Sequence, residues 1–363
     1  MLLVHFKNFK IIFRLWGSCL FVIAILVLSV SSTRAVPFIS QETEITWGQG
    51  GDRQVIQQYG LYSNKPLQLY INRIGQKLVS NLNNKEFSRY FFKVVDSSEI
   101  NAFALPGGYI YVTRGLLATL NNEAELAGVL GHEIGHVVLH HGAKHVARSV
   151  ASTILSLGGA IASPKNAGNW LLVSTQMFNA INLGYGRQAE LDSDAHGILT
   201  SFESGYNPET IVDFLSNLRQ HEILSGQAYH SFQATHPDTK ERVVKASILS
   251  QSMSSRAESE LVKRREVYLQ QIQGMAYGGK RYAKDPRQYK DEYIDIYQVK
   301  PGDTFQSIAT QELADNTKDL EIAVINGMKN EEKPKPGSWL KLVRKGTYQK
   351  EKKLELHPGN FFK

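Results

Sequence analysis

Cysteine is almost absent from this sequence, which contains Cys19 and no other cysteine among its 363 residues. Cys19 lies in the apolar N-terminal segment, so a chain that loses this segment cannot form a disulfide. No recognisable nucleic-acid-binding motif accompanies the formal net charge of +7, which argues against nucleic acid as a partner. The charge instead favours contact with anionic lipid or cell-wall polymer.

The first 35 residues have the layout of a secretory signal peptide. Basic residues precede an apolar run from Leu15 to Val30, and small residues follow it as far as Ala35, where we predict cleavage. The run falls short of the about 20 apolar residues that a membrane span needs. An uncleaved membrane anchor remains the alternative, and both interpretations predict export.

The segment that carries most chemistry is H-E-x-x-H at residues 132–136. His132 and His136 are four residues apart, so on a helix both imidazoles lie on one face and can bind one metal ion. Glu133 lies beside that face, where it can take a proton from a metal-bound water. An N-cap at Asn121-Asn122 and acidic residues in the first turn predict that a buried helix carries the motif.

A catalytic zinc usually has three protein ligands and an open position for water. Glu190 is the best candidate for the third ligand, in a helical stretch that Gly205 would end. Asp194 shares a helix face with Glu190 and is interpreted as the acceptor that orients a ligating histidine. A solvated acidic face is the alternative for this pair. Four other histidines are interpreted as surface, supporting or structural residues: His140, His141, His145 and His196.

His236 precedes a proline at a plausible first helical position, and Arg242 follows about one and a half turns later. His236 could hydrogen-bond the oxyanion of a tetrahedral intermediate, or cover the metal as an additional ligand. Arg242 could pair with Asp194 or with a substrate carboxylate. From spacing alone, an ordinary helix start and a surface cation are the stronger interpretations of these two residues.

Four segments together resemble the HtpX/BepA-like zinc metallopeptidases, which are relatives of the CAAX prenyl proteases. The first is N-A-F-A-L-P-G-G-Y-I-Y-V at 101–112, and the second is the H-E-x-x-H motif. Glu190-x-x-x-Asp194 and the segment from His236 to Arg242 complete the series. Their order and spacing agree with the family across about residues 65–250.

The resemblance implies a gluzincin-like site, with His132, His136 and Glu190 on one zinc ion and Glu133 as the base. It raises His236 and Arg242 to active-site residues, and it implies that the histidine switches between covering the metal and assisting catalysis. It also implies a bacterial periplasmic enzyme whose protein substrates are misfolded or misassembled envelope proteins.

The strand region before the motif offers a place for substrate. Asn101, Ala102, Phe103 and Ala104 are predicted to form a strand edge beside the metal, where an extended peptide can pair through main-chain hydrogen bonds. A hairpin packed beneath the metal helix is a second interpretation, and the two are compatible.

We predict an α+β, mainly helical fold, with a metallopeptidase domain at 36–273, a linker at 274–295, a small module at 296–346 and a tail at 347–363. The β-α-α-β order of the module resembles a LysM domain, a glycan-binding fold, through P-G-D-T at 301–304 and Asn326. Residues 331–335 depart from that pattern as an insertion. Peptidoglycan is therefore the expected partner, and a small stabilising domain without ligand is the alternative.

Two small and apolar stretches, at 151–163 and 170–183, lie between the two predicted metal helices. We interpret them as a mobile lid or a membrane-facing flap.

Taken together, the motifs and the N-terminal segment favour an exported zinc endopeptidase. The alternative function is a peptidoglycan-associated assembly or chaperone-like factor whose peptidase site is largely autoinhibited.

Overall fold

A computed structural model describes residues 39–156, 184–225, 231–237, 240–279 and 291–349, and the following statements concern these residues. The predicted signal peptide with Cys19 and most of the predicted lid, residues 157–183, lie outside them. In the described part of the chain, no helix is both long enough and apolar enough to cross a membrane.

The described part of the chain begins with two helices and a three-stranded sheet. Helix α1 (Gln41–Tyr59) starts at the Ser40 side chain, and helix α2 (Lys65–Ser80) follows it. In the sheet, β1 (Phe91–Val95) pairs in parallel with β3 (Tyr109–Thr113), and β3 pairs antiparallel with β2 (Ala102–Leu105). The strand order β1-β3-β2 therefore leaves β2 at one edge.

Helix α4 (Glu123–Val138) carries the H-E-x-x-H motif and is preceded by the short helix α3 (Arg114–Thr119). The Asn122 side chain accepts a hydrogen bond from the backbone N–H of Glu125, which confirms the predicted N-cap. Every residue of α4 from Glu123 to Val137 is buried. The motif therefore lies on a helix with neighbours on all sides.

Two glycines allow α4 and α6 (Arg187–Glu203) to cross in close contact. A Cβ atom on Gly197 of α6 would lie 2.8 Å from the backbone nitrogen of His132, and one on Gly131 would lie 3.0 Å from the Cα of Gly197. Any larger residue at these positions would push the two helices apart. The glycine pair therefore brings Glu190 within reach of the histidines.

The remaining helices of the predicted metallopeptidase domain are α5 (His141–Ser156), α7 (Thr210–Ser225), α8 (Ser231–Thr235), α9 (Lys240–Ser254) and α10 (Arg265–Ile272). Small sheets between many helices give the α+β, mainly helical fold that the sequence predicts.

The C-terminal module has the predicted β-α-α-β order. Its elements are β5 (Glu292–Gln298), α11 (Phe305–Leu313), a 3₁₀ turn (Asn316–Lys318), α12 (Asp319–Ile325) and β6 (Trp339–Lys345). Strand β5 pairs antiparallel with β6 and with the short β4 (Ala276–Tyr277), so the sheet begins within the predicted linker.

A buried lysine links strand β6 to the turn that precedes the motif helix. Lys341 is fully buried, and its ammonium group donates to the carbonyl oxygens of Ala118 and Leu120 at 2.8 Å. Arg265 adds a second link, since it donates to the carbonyl of Asn121 and to the side chain of Asn326. The module is therefore packed on the turn that precedes α4.

We expect Lys341→Met to lower the free energy of unfolding by about 1–3 kcal/mol, because buried carbonyl groups lose their donor. Urea denaturation followed by circular dichroism measures this change. Lys345→Met is the matched control, since Lys345 is exposed on the same strand. Equal unfolding midpoints for the two variants would show that the lysine does not hold the module in place.

Candidate metal centre

Four buried side chains from three segments converge on one point. His132 and His136 come from α4, Glu190 comes from α6, and His236 follows α8; one ligand atom of each lies within 4.8 Å of the others. The Nε2 atoms of His132 and His136 are 3.0 Å apart, and each lies 3.5 Å from a carboxylate oxygen of Glu190. The structure thus brings the three predicted ligands together.

These distances fit a tetrahedral metal ion. Ligand atoms that lie about 2.0–2.1 Å from such an ion are about 3.3 Å from one another.

The way the ring nitrogens face one another also indicates a cation at this point. Nε2 of His132 faces Nε2 of His136 at 3.0 Å and Nδ1 of His236 at 3.2 Å, so lone pairs crowd together unless protons or a cation separate them. Imidazole and carboxylate ligands together suit Zn²⁺.

Asp194 and Arg242 support the ligands from behind. Nδ1 of His132 lies 3.0 Å from the Asp194 carboxylate, and this contact leaves Nε2 directed at the cluster. Arg242 donates two hydrogen bonds of 2.8 Å to Asp194 and lies 2.9 Å from Glu190. Glu190 and Asp194 of α6 and Arg242 of α9 are all buried. The interpretations of a solvated acidic face and a surface cation are therefore wrong.

The electrostatics of the cluster favour the ligating states of Glu190 and His136, but they favour the protonated form of His132. Burial opposes ionisation of Glu190, but His236 and His132 outweigh it and hold the pKa of Glu190 well below its usual value. Burial lowers the pKa of His136 far below that of a free imidazole. For His132, burial is outweighed by its bonds to Asp194 and Glu190, which raise its pKa to about 10. Metal binding at His132 must therefore displace a proton.

Glu133 is fully buried, and among the described residues neither of its carboxylate oxygens has a hydrogen-bond partner. Burial raises the pKa of Glu133, and His236 opposes this effect. Buried carboxylates are normally hydrogen-bonded, so an unpartnered one points to a missing molecule. The free oxygens next to the ligand cluster suit a base that acts on a bound water.

His236 lies between the ligands and the base. Its Nδ1 is 3.2 Å from both carboxylate oxygens of Glu190, and its Nε2 is 3.5 Å from Glu133. Its backbone N–H donates to the carbonyl oxygen of Phe232 in α8, and this bond holds the backbone of His236 at the end of that helix. The imidazole therefore stands where it can either cover a metal or assist a reaction.

Sequence reasoning missed Tyr185, whose ring stacks on His136 with centroids 4.0 Å apart. The glycines on either side of Tyr185 are the sequence signal that could have identified it. Gly184 has φ +70°, and a Cβ atom there would lie 2.3 Å from the carbonyl oxygen of Thr235. His141, predicted as a supporting residue, lies 3.0 Å from Nδ1 of His136.

The predicted substrate edge is strand β2, next to the motif helix. Both backbone groups of Asn101 bond to Thr113. The Asn101 N–H donates to the Thr113 hydroxyl oxygen, and the Asn101 carbonyl oxygen accepts from the Thr113 N–H. In an antiparallel pair, successive residues alternate between bonding to the partner strand and pointing away from it. The backbone N–H and C=O groups of Ala102 and Ala104 therefore point to the outer edge of the sheet. Phe103, like Asn101, faces β3.

Comparisons with known proteins agree with this site. The model of peptidase family M48 matches residues 66–249. A beta-barrel assembly-enhancing protease of Escherichia coli (strain K12) is 32% identical over 209 residues, which are 54% of this chain and 42% of that protein. A mitochondrial metalloendopeptidase OMA1 of Schizosaccharomyces pombe is 25% identical over 220 residues, which are 60% of this chain and 64% of that protein. The chain thus spans less than two thirds of either relative.

We expect Asp194→Asn to weaken zinc affinity by about 10–100-fold, because loss of a supporting carboxylate releases the histidine it orients. Competition with a zinc-binding dye measures this affinity on the purified protein. Asp192→Asn is the control, since Asp192 is exposed on the same helix. Equal zinc affinity in both variants would contradict the supporting role of Asp194.

Proposed function

This chain belongs to peptidase family M48, and from that premise we propose that it is an exported zinc-dependent endopeptidase. The observation that carries the proposal is the unpartnered carboxylate of Glu133 beside a cluster of three ligand side chains. A protein that only binds a partner has no use for a buried base next to a metal site.

His132, His136 and Glu190 would hold one zinc ion per chain. When bound, zinc polarises the scissile carbonyl and lowers the pKa of a water to about 7. Asp194 fixes the ring of His132 through Nδ1, and Arg242 holds both carboxylates in place. The ligand set is therefore positioned before substrate arrives, which favours catalysis.

Glu133 would take a proton from the attacking water and then pass it to the departing amine. Within the described residues neither oxygen of this carboxylate accepts a hydrogen bond, so both can take part in the transfer. Nε2 of His236, 3.5 Å from Glu133, would donate a hydrogen bond to the oxyanion of the tetrahedral intermediate.

Strand β2 supports the choice of an extended protein substrate. Its outer edge offers the backbone groups of Ala102 and Ala104, which bind a peptide without demanding particular side chains. We propose that the substrates are misfolded or misassembled envelope proteins in a bacterial periplasm. The name of the Escherichia coli relative, which refers to beta-barrel assembly, supports this setting. Contact with a membrane surface belongs to the same proposal.

A second function has one observation in its favour. Nδ1 of His236 sits 3.2 Å from both His132 and Glu190, so the imidazole covers the point where substrate would meet the metal. The chain would then be an assembly or chaperone-like factor with an autoinhibited peptidase. The LysM-like module would tether it to peptidoglycan in this case. Asn326 could not contact the glycan, because it is buried and bonded to Lys341.

We expect Glu133→Gln to lower the rate of casein cleavage by about 10²–10⁴-fold, the usual contribution of a general base. Zinc content should remain at that of the wild type, since the glutamine leaves the three ligands in place. Fluorescent casein and metal analysis of the same preparation measure the two quantities. Undiminished cleavage with zinc bound would refute the role of Glu133, and Glu203→Gln, exposed on α6, is the control.

His236→Ala separates the two functions. As an oxyanion donor, His236 contributes about 10²–10³-fold to turnover, so the variant should cleave casein more slowly by that factor. A peptidase that is silent in both the wild type and His236→Ala, in a protein that sediments with insoluble peptidoglycan, would favour the assembly factor.

A further inference from the structure

The two ligand histidines of the metal centre are supported in different ways. His132 bonds through Nδ1 to the Asp194 carboxylate, whereas no carboxylate in the described part of the chain bonds to Nδ1 of His136. Instead, Nδ1 of His136 lies 3.0 Å from Nδ1 of His141 at the start of α5. Metal-ligating histidines are almost always held through their second ring nitrogen. His141 therefore occupies the place where a support for His136 is expected.

The direction of this hydrogen bond follows from the ligand role of His136. Its Nε2 points into the cluster, 3.5 Å from a carboxylate oxygen of Glu190, and a nitrogen that binds a metal must present a lone pair. A neutral imidazole then carries its hydrogen on Nδ1, so His136 donates and His141 accepts. An imidazole acceptor also brings no further negative charge to a buried site that already holds the carboxylates of Asp194 and Glu133.

Two further neighbours fix the rings of His136 and His141. Tyr185 stacks on the face of His136 with an interplanar angle of 23°, and His141 meets the same ring with the planes at 70°. The hydroxyl of Ser193, which is buried on α6, lies 3.4 Å from Nδ1 of His141. His141 is thus held between α4 and α6, and it can keep His136 in one orientation.

The turn between α4 and α5 directs His141 back to His136. His140 in this turn has φ +57°, the left-handed conformation that glycine usually adopts where a helix ends. Residues other than glycine are uncommon in this conformation, and they persist there when the surrounding structure holds them. The position of His141 therefore depends on what holds His140.

Two carboxylates hold the ring of His140. Oε1 of Glu44 lies 2.6 Å from its Nδ1, and Oε1 of Glu86 lies 3.3 Å from its Nε2. Glu44 comes from α1 and is only 2% exposed, so its contact with the imidazole is shielded from solvent. Helix α1 is thereby connected to the turn that carries His141.

We propose that His141 is a positioning residue of the metal centre, which accepts the Nδ1 hydrogen of His136 and so keeps Nε2 directed at the metal. Glu44 and Glu86 act through His140 to hold the turn that places His141. The inference rests on the zinc site of the proposed function.

The zinc affinity of the full-length protein, measured by competition with a zinc-binding dye, tests this role. We expect His141→Leu to weaken zinc binding by about 10–100-fold, because loss of the outer partner frees the ligating ring. His141→Asn should bind zinc within about threefold of the wild type, since the amide oxygen can accept the same hydrogen. His145→Leu, one turn further along α5, is the matched control and should bind zinc as the wild type does.

Metal-free His141→Leu should unfold in urea at about the same midpoint as His145→Leu, because the role concerns the ligand and not the fold. Three results would overturn the assignment. The first is unchanged zinc affinity in His141→Leu, and the second is an equal loss of affinity in His141→Asn. The third is a loss of affinity that follows a lower urea midpoint across the variants.

A double-mutant comparison tests the part of Glu44. Glu44→Leu should weaken zinc binding by about threefold or more when His141 is present, and by less than about twofold in a chain that carries His141→Leu. Glu42→Leu, exposed on the same helix, is the control. Equal losses in the two backgrounds would refute the action of Glu44 through His141.

Casein cleavage by the same preparations separates this inference from the peptidase itself. Zinc affinity that depends on His141, in a protein that cleaves nothing, would refute the peptidase and leave the positioning role standing. Cleavage by a zinc-loaded protein whose zinc affinity does not depend on His141 would refute the positioning role and leave the peptidase standing. A wild type that binds no zinc would refute both.

Discussion

The metal centre depends on one guanidinium group. Glu190 and Asp194 are four residues apart on the same helix, where two carboxylates repel each other. Arg242 lies between them and contacts both, so the two charges become tolerable in a buried site. Asp194 in turn orients His132, and Glu190 faces the ligand cluster. Without Arg242 the burial of these acids would favour their protonated forms, which are poor ligands.

This charge network requires a close contact of two helices, and the rest of the fold maintains that contact. Gly131 and Gly197 remove the side chains that would separate α4 from α6. The N-terminus of α4 is fixed by its own cap at Asn122 and by Lys341 from the last strand, which holds the preceding turn. The C-terminal module therefore contributes to the rigidity of the metal helix, whatever ligand it binds.

The sequence predicts those parts of the site that depend on near neighbours. The motif helix, its cap at Asn122 and the shared face of Glu190 and Asp194 follow from spacings of three or four residues. Contacts between distant segments leave no such pattern. Tyr185 against His136 and Glu44 against His140 were missed for this reason, and spacing alone favours a surface cation for Arg242, which the fold places in the core. The resemblance to known metallopeptidases corrects that last interpretation because it compares several segments in their order along the chain.

The position of His236 constrains how substrate can enter. Its ring lies between Glu133 and the ligands, so in the proposed function a peptide must displace the ring before it reaches the base. Displacement breaks the contacts of His236 with Glu190 and needs binding energy from elsewhere. The edge of β2 is the surface that can supply it. Binding energy used in this way appears in turnover as well as in affinity. Short peptides that do not pair with this edge should therefore leave the site closed, whereas an extended chain that pairs with it opens the site.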